Sequence, residues 1–222
     1  MNVAISEYGN LEEKLTFTTR FLQPGDKVLE IGCGTGALVE ALNDAGYQAE
    51  GLDLYTDSQR NIFCHDLFTS SLPVRRKYRL VYIYYPDFGE KWSLLKQLFV
   101  RVCEVLTVDG VFLFDLHKHH SFPHDYQNVF FKDDSQKLVL SKSLKKKREL
   151  VIEKLKVDKA RQTFDHFVDR WPVYTAKEIR SLTEGLFNVE GEYYDFTEPV
   201  LRPLSLSPSP TPHRTILHLT KK

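Results

Sequence analysis

The stretch Val28-Leu-Glu-Ile-Gly32-Cys33-Gly34-Thr35-Gly36 decides the fold. It is an apolar run interrupted by one carboxylate and ending in three alternating glycines, and a segment with helical spacing follows from Gly36 to Ala45. Glycines permit a tight turn and let a nucleotide approach the backbone. A plain turn is the alternative, but three alternating glycines exceed what a turn requires. The pattern predicts a buried strand, a ligand-binding loop and a helix.

Strands and helices continue to alternate through the first half of the chain. The expected helices cover 10–21, 36–45 and 91–106, and the expected strands cover 27–31, 48–53, 61–64, 79–85 and 111–114. We expect Asp109-Gly110 to turn the chain into the last of these strands. This alternation predicts an α/β fold with a parallel sheet covered by helices on both faces.

The second half of the chain has a different sequence pattern. Segments 137–141, 149–156 and 162–168 read as extended strands separated by charged turns, and we expect an antiparallel insertion after the fifth strand. Thr175 and Glu178 form a capping box at the start of a short helix. Strands are expected over 188–196 and 214–219, with the Ser/Pro-rich segment 203–212 as the loop between them.

Composition limits the classes of function. The 222 residues, 42% of them hydrophobic, fit a single domain over 1–222. Thirty basic residues balance thirty acidic ones, which disfavours nucleic acid and anionic membranes as partners. No apolar stretch approaches the roughly 20 residues that span a bilayer, and no leader pattern opens the sequence. Three scattered cysteines suggest neither a disulfide framework nor a zinc site, so we expect a cytoplasmic protein.

Two classes of ligand compete for the glycine loop. Read as Gly32-x-Gly34-x-x-Ala37, the loop satisfies the permissive dinucleotide fingerprint. Glu30 favours the other class, because a carboxylate gains nothing beside an anionic pyrophosphate. S-adenosylmethionine carries an ammonium and a sulfonium and has no phosphate, so a nearby carboxylate suits it. A solvated glutamate at the strand end is the simpler alternative.

Two further carboxylates follow the next strands. Asp53 ends the second strand about 20 residues beyond Gly32, where it can accept both ribose hydroxyls of an adenosine. Asp66 and Leu67 follow the third strand, where they could meet the adenine amino group and ring. An aspartate in a loop is equally often a turn former, so this second assignment has an even alternative.

With these motifs in place, the chain resembles the class I S-adenosylmethionine-dependent methyltransferases. The resemblance covers roughly residues 10–116 through Glu30-x-Gly32-x-Gly34-x-Gly36, Asp53 and Asp66-Leu67. The segment from Trp171 onward looks like the ending of small-molecule methyltransferases. The resemblance implies a Rossmann-like, seven-stranded and mostly parallel sheet of order 3-2-1-4-5-7-6, with S-adenosylmethionine as the cofactor.

The resemblance also assigns cofactor contacts residue by residue. They are Glu30, Gly32, Gly34 and Gly36 on the methionine side, Asp53 at the ribose, and Leu54, Asp66 and Leu67 around the adenine, with Cys33 as a further cofactor contact in the loop. The chain departs from the family after the fourth strand, where Tyr84-Tyr-Pro-Asp-Phe88 stands. This is not the Asn-Pro-Pro or Asp-Pro-Pro motif of enzymes that methylate nucleic-acid bases, which makes base methylation a poorer expectation.

Methyl transfer depends mainly on positioning, so a dedicated base is optional. Tyr8, Tyr84 and Tyr85 are candidates to face the sulfonium or the substrate, with Tyr84 also a catalytic candidate and Tyr85 a substrate contact. Sheet packing is an equal alternative for Tyr84 and Tyr85. His117 follows the fifth strand and is the candidate general base, ahead of His119 and His120. The spacing of these histidines matches no established metal site, and we expect no metal.

The insertion over 126–171 is the expected substrate cover, with Trp171 and Tyr174 as candidate pocket walls that could equally be core. The leading hypothesis is methylation of an amine or hydroxyl of a small molecule. Five cations in 142–148 keep an RNA methyltransferase open as an alternative. A non-catalytic, cofactor-binding partner subunit is the third alternative, and the oligomeric state stays open.

Overall fold

The computed structural model describes residues 11–54, 61–66, 77–84, 94–117, 126–131, 138–146, 149–158, 162–172, 174–193, 196 and 214–222. The helices are α1 Leu11–Thr19, α2 Ala37–Asp44, α3 Leu95–Val105 and α4 Ala176–Thr183. The strands are β1 Lys27–Ile31, β2 Gln48–Asp53, β3 Ile62–Cys64, β4 Tyr78–Ile83, β5 Leu106–His117, β6 Tyr126–Phe131, β7 Leu138–Lys146, β8 Glu149–Asp158, β9 Thr163–Pro172, β10 Phe187–Tyr193 and β11 Arg214–Lys221.

Seven of these strands form one sheet in the order β3-β2-β1-β4-β5-β11-β10. Strands β1 to β5 are mutually parallel, and β11 runs antiparallel to both β5 and β10. Counted along the chain within this sheet, the order is the expected 3-2-1-4-5-7-6, so the predicted fold class is confirmed. The carboxyl ends of the five parallel strands meet at one edge, where open α/β sheets bind their ligands.

Apolar side chains cover both faces of the sheet. Strand alternation sends Leu29 and Ile31 to one face, where they pack with residues of α3 and α4. Val28 lies on the other face, in a second cluster that includes residues of α1 and α2. Glu30 follows Val28 by two residues and therefore belongs to the α1 and α2 side. One buried carboxyl thus lies on an otherwise apolar strand face.

The remaining four strands form an antiparallel sheet of order β6-β7-β8-β9. The antiparallel insertion after β5 is confirmed, but it contains four strands where the sequence indicated three. The additional strand, Tyr126–Phe131, pairs with β7 along its whole length. No helix within the described ranges combines the length and the apolar character needed to cross a membrane.

Strand β5 begins earlier than expected, at Leu106, but the expected turn at Asp109-Gly110 fits the contacts around it. Tyr78 of β4 pairs with Leu106 and Leu80 pairs with Val111, so residues 107–110 lie between positions whose β4 partners are only two residues apart. A Cβ atom on Gly110 would lie 2.9 Å from Leu106 Cβ and from the Thr107 carbonyl oxygen, so the chain folds back here before continuous pairing begins at Val111. The capping box at α4 is present, with Thr175 Oγ1 accepting from the Glu178 N–H at 3.2 Å.

Candidate functional site

The loop between β1 and α2 is shaped by three glycines in left-handed backbone conformations. Gly32, Gly34 and Gly36 have φ angles of 76°, 54° and 80°. A Cβ atom on Gly34 would meet nothing within 4 Å, so the loop is open on that side. A Cβ atom on Gly36 would lie 2.0 Å from Ile62 Cδ1, so this glycine allows α2 to approach β3 closely. The loop therefore combines an open face with a tightly packed base.

Asp53 fixes the loop from the end of the neighbouring strand. Its Oδ2 atom accepts a hydrogen bond from the Gly34 N–H at 2.8 Å. The backbone N–H groups of Gly32 and Cys33 both donate to the Leu52 carbonyl, at 2.7 and 3.1 Å. One carboxylate oxygen thus holds the loop. The charge of Asp53 lies at the mouth of the site, in the position expected of a ribose acceptor.

Glu30 is the most perturbed acid near the loop. Its side chain is only 8% exposed, and burial raises the pKa of its carboxyl to about 8. The Tyr82 hydroxyl and the Lys14 ammonium act in the opposite direction, and the charge of Asp53 adds a small further rise in the pKa. At neutral pH the carboxyl of the free protein is therefore mainly protonated.

Tyr82 faces Glu30 across the β1–β4 pair. The pairing register sets the two residues directly opposite each other, and Tyr82 is fully buried. Their side chains are close enough to shift each other's pKa, yet Glu30 Oε2 and Tyr82 Oη make no hydrogen bond within the described part of the chain. The contact therefore falls short of hydrogen-bond geometry. Glu30 Oε2 and Tyr82 Oη are therefore two buried polar atoms next to the glycine loop that could each form a hydrogen bond with a ligand.

Cys33 contributes packing and no charge. Burial, reinforced by the charges of Glu30 and Asp53, raises the pKa of its thiol to about 12. A Cβ atom on Gly51 would lie 2.6 Å from Cys33 Sγ, so the absence of a side chain at Gly51 makes room for the thiol. The Cys33 thiol is consequently neutral and unreactive at physiological pH.

Tyr84 lies in packed surroundings. Its hydroxyl is hydrogen-bonded to Thr18 Oγ1 at 3.0 Å, and its ring contacts Phe196 and Tyr82 at centroid distances of 5.0 and 4.7 Å. Only 5% of the residue is exposed. The structure thus gives Tyr84 the sheet-packing role that was the alternative, and its catalytic and cofactor roles stay predictions.

The other predicted residues are distributed around the same edge of the sheet or lie outside the described residues. Leu54 is 40% exposed directly after β2, and the His65 N–H next to Asp66 donates to the Asp53 carbonyl at 2.9 Å. The structure therefore places His65, the neighbour of Asp66, beside the backbone of Asp53, and only Asp53 is seen to contact the glycine loop among the described hydrogen bonds. Tyr8, Leu67, Tyr85, His119 and His120 lie outside the described residues.

Three predicted residues belong to the second half of the site. His117 ends β5 opposite Arg214, and Trp171 lies in β9 opposite Leu150, but the described residues include only their backbones. Tyr174 is half-buried against the core cluster on the α3 and α4 side. Burial and the Glu178 carboxylate raise the pKa of its hydroxyl. The roles of all three residues stay predictions.

Sequence reasoning missed Tyr82, Lys14 and Cys64. Tyr82 and Lys14 act on Glu30 from β4 and α1, and only the strand register and the helix position reveal this. The Cys64 thiol donates to the Leu54 carbonyl at 3.5 Å, directly beyond Asp53. The repeated tyrosines at 82 and 84 were the one available signal, since residues two apart share a strand face.

Within the described ranges, no group of three or more His, Cys, Asp or Glu side chains is placed to hold a metal ion. The residues do suit an adenosyl amino acid. They offer a ribose acceptor at Asp53, an open loop at Gly34, and a buried carboxyl with a free oxygen at Glu30. A cation at Glu30 would offset the burial that now raises its pKa.

Similar structures extend over almost the whole chain. A S-adenosylmethionine-dependent methyltransferase from Clostridium acetobutylicum superposes with a TM-score of 0.72 at 15% identity, over 98% of this chain and 94% of that one. The chain has the class I methyltransferase fold. CalS10 from Micromonospora echinaspora, an amino pentose methyltransferase solved with S-adenosylmethionine bound, superposes with a TM-score of 0.65 at 16% identity, over 99% and 93% of the chains.

Similarity at the level of sequence covers a smaller part of the chain. A protein of Geobacillus sp. provisionally named as a methyltransferase is 26% identical over 129 residues, which are 52% of this chain and 52% of that protein. This chain therefore spans about half the length of that curated relative. No protein-family model matches the chain.

Proposed function

We propose that the chain is an S-adenosylmethionine-dependent methyltransferase that methylates an amine of a small molecule. The single observation that supports the cofactor most strongly is the buried carboxyl of Glu30 beneath the open glycine loop. A pyrophosphate at this site would be repelled by the charge of Asp53 and would disfavour ionisation of Glu30. An ammonium or a sulfonium would be attracted by Asp53 and would favour the ionised form of Glu30.

Residues of the chain would hold the two ends of the cofactor separately. Asp53, already fixed by the Gly34 N–H, offers its carboxylate to the ribose hydroxyls, and Leu54 offers an exposed apolar side chain to the base. Glu30 faces the amino acid end. When bound, the cofactor supplies an electrophilic methyl carbon, which the amine's electron pair attacks while the carbon–sulfur bonding electrons pass to sulfur.

An amine is favoured over a hydroxyl as the methyl acceptor because the two groups differ in whether a proton must be removed before attack. A hydroxyl usually needs a base or a metal to remove its proton, whereas an amine only has to be neutral when it attacks. No group of His, Cys, Asp or Glu side chains among the described residues is placed to hold a metal ion, so a hydroxyl acceptor would depend on a general base such as the candidate His117, whereas an amine would not. CalS10, of similar fold, is an amino pentose methyltransferase, which is consistent with an amine-bearing small molecule.

The antiparallel insertion is proposed as the cover over the substrate within a single domain of residues 1–222. It leaves the large sheet after His117, at the carboxyl end of β5, and returns at Tyr174 before α4. His117 is the last residue of β5, at the edge of the sheet where open α/β sheets bind their ligands. His117, Trp171 and Tyr174 are therefore the residues through which a substrate beneath the cover would be contacted.

RNA methylation has weaker support. The pairing register of the insertion sets Lys142 opposite Glu153 and Lys146 opposite Glu149. Opposite charges at paired positions lower the net positive charge of this hairpin, and the chain as a whole has a formal net charge of zero. A small molecule is therefore the better proposal for the substrate.

Calorimetry with S-adenosylmethionine, S-adenosylhomocysteine and NAD tests the cofactor. We expect binding of both adenosyl ligands and none of NAD. Transfer of a radiolabelled methyl group from the cofactor to a panel of amino sugars and other small amines, by the purified chain alone, then tests the reaction. Binding of NAD without binding of S-adenosylhomocysteine at millimolar concentration would overturn the proposal, and binding without turnover on any acceptor would support a cofactor-binding partner subunit instead.

A further inference from the structure

The buried pair of Glu30 and Tyr82 is more than a packing feature. The two residues face each other across β1 and β4, on the sheet side covered by α1 and α2. Glu30 Oε2 and Tyr82 Oη are both inaccessible to solvent and make no hydrogen bond to the described residues. Polar groups in such positions are normally satisfied, so an unfilled pair beneath a ligand loop indicates a missing hydrogen-bonding partner.

The groups around Glu30 come from four elements. Tyr82 faces it from β4, Lys14 from α1, Asp53 from β2 and Cys33 from the loop. Burial and the neighbouring Glu30 raise the pKa of Tyr82 well above 10, so its hydroxyl keeps its proton and can donate it in a hydrogen bond. The burial that raises the pKa of Glu30 to about 8 leaves a proton on this carboxyl at neutral pH.

We propose that Tyr82 is a positioning residue that holds the Glu30 carboxylate toward the ammonium group of the bound cofactor, and that this binding displaces one proton from Glu30 to solvent. The inference rests on the proposed function, because it takes an adenosyl amino acid as the ligand. The step is a simple exchange: the O–H bond of the Glu30 carboxyl breaks, buffer accepts the proton, and the ligand's ammonium becomes the counter-ion. The Tyr82 hydroxyl donates to the carboxylate so formed.

The exchange makes affinity depend on pH in a defined direction. The binding-competent carboxylate is the minor form below about pH 8, and its fraction falls about tenfold for each further pH unit. Between pH 6 and 7.5 the ligand's own ammonium stays protonated, since α-amino groups have pKa values of about 8. The dissociation constant of S-adenosylhomocysteine should therefore rise about tenfold per unit of acidification in this range.

Methylthioadenosine separates the two ends of the site. It carries the same adenosine and sulfur but has no ammonium, so it engages Asp53 without involving Glu30. We expect its affinity to be nearly independent of pH between 6 and 7.5. Calorimetry in two buffers that differ in protonation enthalpy counts the protons released. At pH 6.5 we expect about one proton for S-adenosylhomocysteine and none for methylthioadenosine.

Two substitutions and one matched control test whether Glu30 is the source of the released proton and whether the Tyr82 hydroxyl positions its carboxylate. Glu30→Gln should abolish proton release and flatten the pH dependence for S-adenosylhomocysteine. Tyr82→Phe should weaken that ligand about tenfold, leave methylthioadenosine unchanged, and move the pH midpoint above that of the wild type, because the hydroxyl lowers the pKa of Glu30. Tyr78→Phe removes a buried hydroxyl from the same strand that donates to Glu50, and should change none of these quantities.

The outcomes separate this inference from the proposed function. If neither S-adenosylhomocysteine nor methylthioadenosine binds, the proposed function is wrong. If both bind but no proton is released, or if Glu30→Gln releases as many protons as the wild type, only the inference is wrong. A Tyr82→Phe variant that matches Tyr78→Phe in pH midpoint excludes the positioning role, and Glu30→Gln decides the proton exchange even where Tyr82→Phe does not fold.

Discussion

Replacement of Gly36 by alanine tests how the loop base is packed. A Cβ atom at this position would lie 2.0 Å from Ile62 Cδ1 and 3.2 Å from Ile62 Cγ1, and the backbone φ is 80°. Left-handed backbone costs a non-glycine residue about 1–2 kcal/mol. Moving the buried Ile62 side chain should add about 1–3 kcal/mol. We therefore expect Gly36→Ala to lower the free energy of unfolding by about 2–5 kcal/mol.

Gly34→Ala is the matched control, because Gly34 shares the left-handed conformation but an added Cβ atom would meet nothing within 4 Å. Only the backbone cost of about 1–2 kcal/mol should appear in this variant. Urea denaturation followed by circular dichroism measures both changes. Equal losses of stability in Gly34→Ala and Gly36→Ala would refute the close approach of α2 to β3.

A double-mutant cycle then isolates the clash. Ile62→Val removes the Cδ1 atom that lies nearest to the added Cβ, and alone should cost about 0.5–1.5 kcal/mol. The double variant should be more stable than the sum of the two single losses predicts, by about 1 kcal/mol. Strict additivity would show that the two side chains do not meet.

Three further outcomes follow from the site and the fold. Asp53→Ala should weaken S-adenosylhomocysteine and methylthioadenosine alike, by about tenfold to a hundredfold in calorimetry, since both carry the ribose; an effect on one ligand alone would contradict the assignment. Thr175→Ala should destabilise the protein by about 1 kcal/mol in thermal denaturation, because it removes the capping box of α4, and Thr175→Ser should not. Wild-type stability should fall as pH rises from about 5 to about 8, because the pKa of Glu30 is raised from 4.5 to about 8 in the folded protein and the folded state therefore binds the extra proton. Glu30→Gln should remove this part of the slope, and an unchanged slope would place the titration elsewhere.

The positions of the strands in the large sheet could be predicted from the sequence because the local sequence pattern and the topology agree there. Strand β2 covers the residues expected of it, Gln48–Asp53, and β1 ends at the predicted glycines. A run of apolar residues between turn formers can hardly be placed anywhere but in the buried centre of a parallel sheet. The order of the strands came with the resemblance to the methyltransferases, and not from periodicity.

The missed strand has a physical cause. Strand β6, Tyr126–Phe131, was missed because its residues alternate poorly and because its position is defined by its pairing with β7. The error lies where long-range contacts, which a sequence pattern does not display, decide the structure.

The site shows the same division between local and long-range information. The position of Asp53 at the loop mouth follows from its place at a strand end, which spacing alone predicts. The relation of Glu30 to Tyr82 depends on the register between β1 and β4, strands separated in sequence by β2 and β3. The carboxylate was therefore foreseeable, whereas the hydroxyl that faces it was not.

The proposed cofactor site and the proposed substrate cover lie on different sheets, so substitutions should be able to change one without the other. Asp53, Glu30 and the glycine loop lie on β1 and β2, whose geometry is fixed by burial on both faces of the sheet. Among the described residues, the strands of the insertion pair with one another in a separate four-stranded sheet. Substitutions within β6 to β9 should therefore alter which acceptor is methylated while leaving the affinity for S-adenosylhomocysteine unchanged. We expect the opposite of substitutions at Gly36, Glu30 and Asp53: they should lower the affinity for S-adenosylhomocysteine without changing which acceptor is used, because the proposed cofactor contacts depend on the positions of these residues.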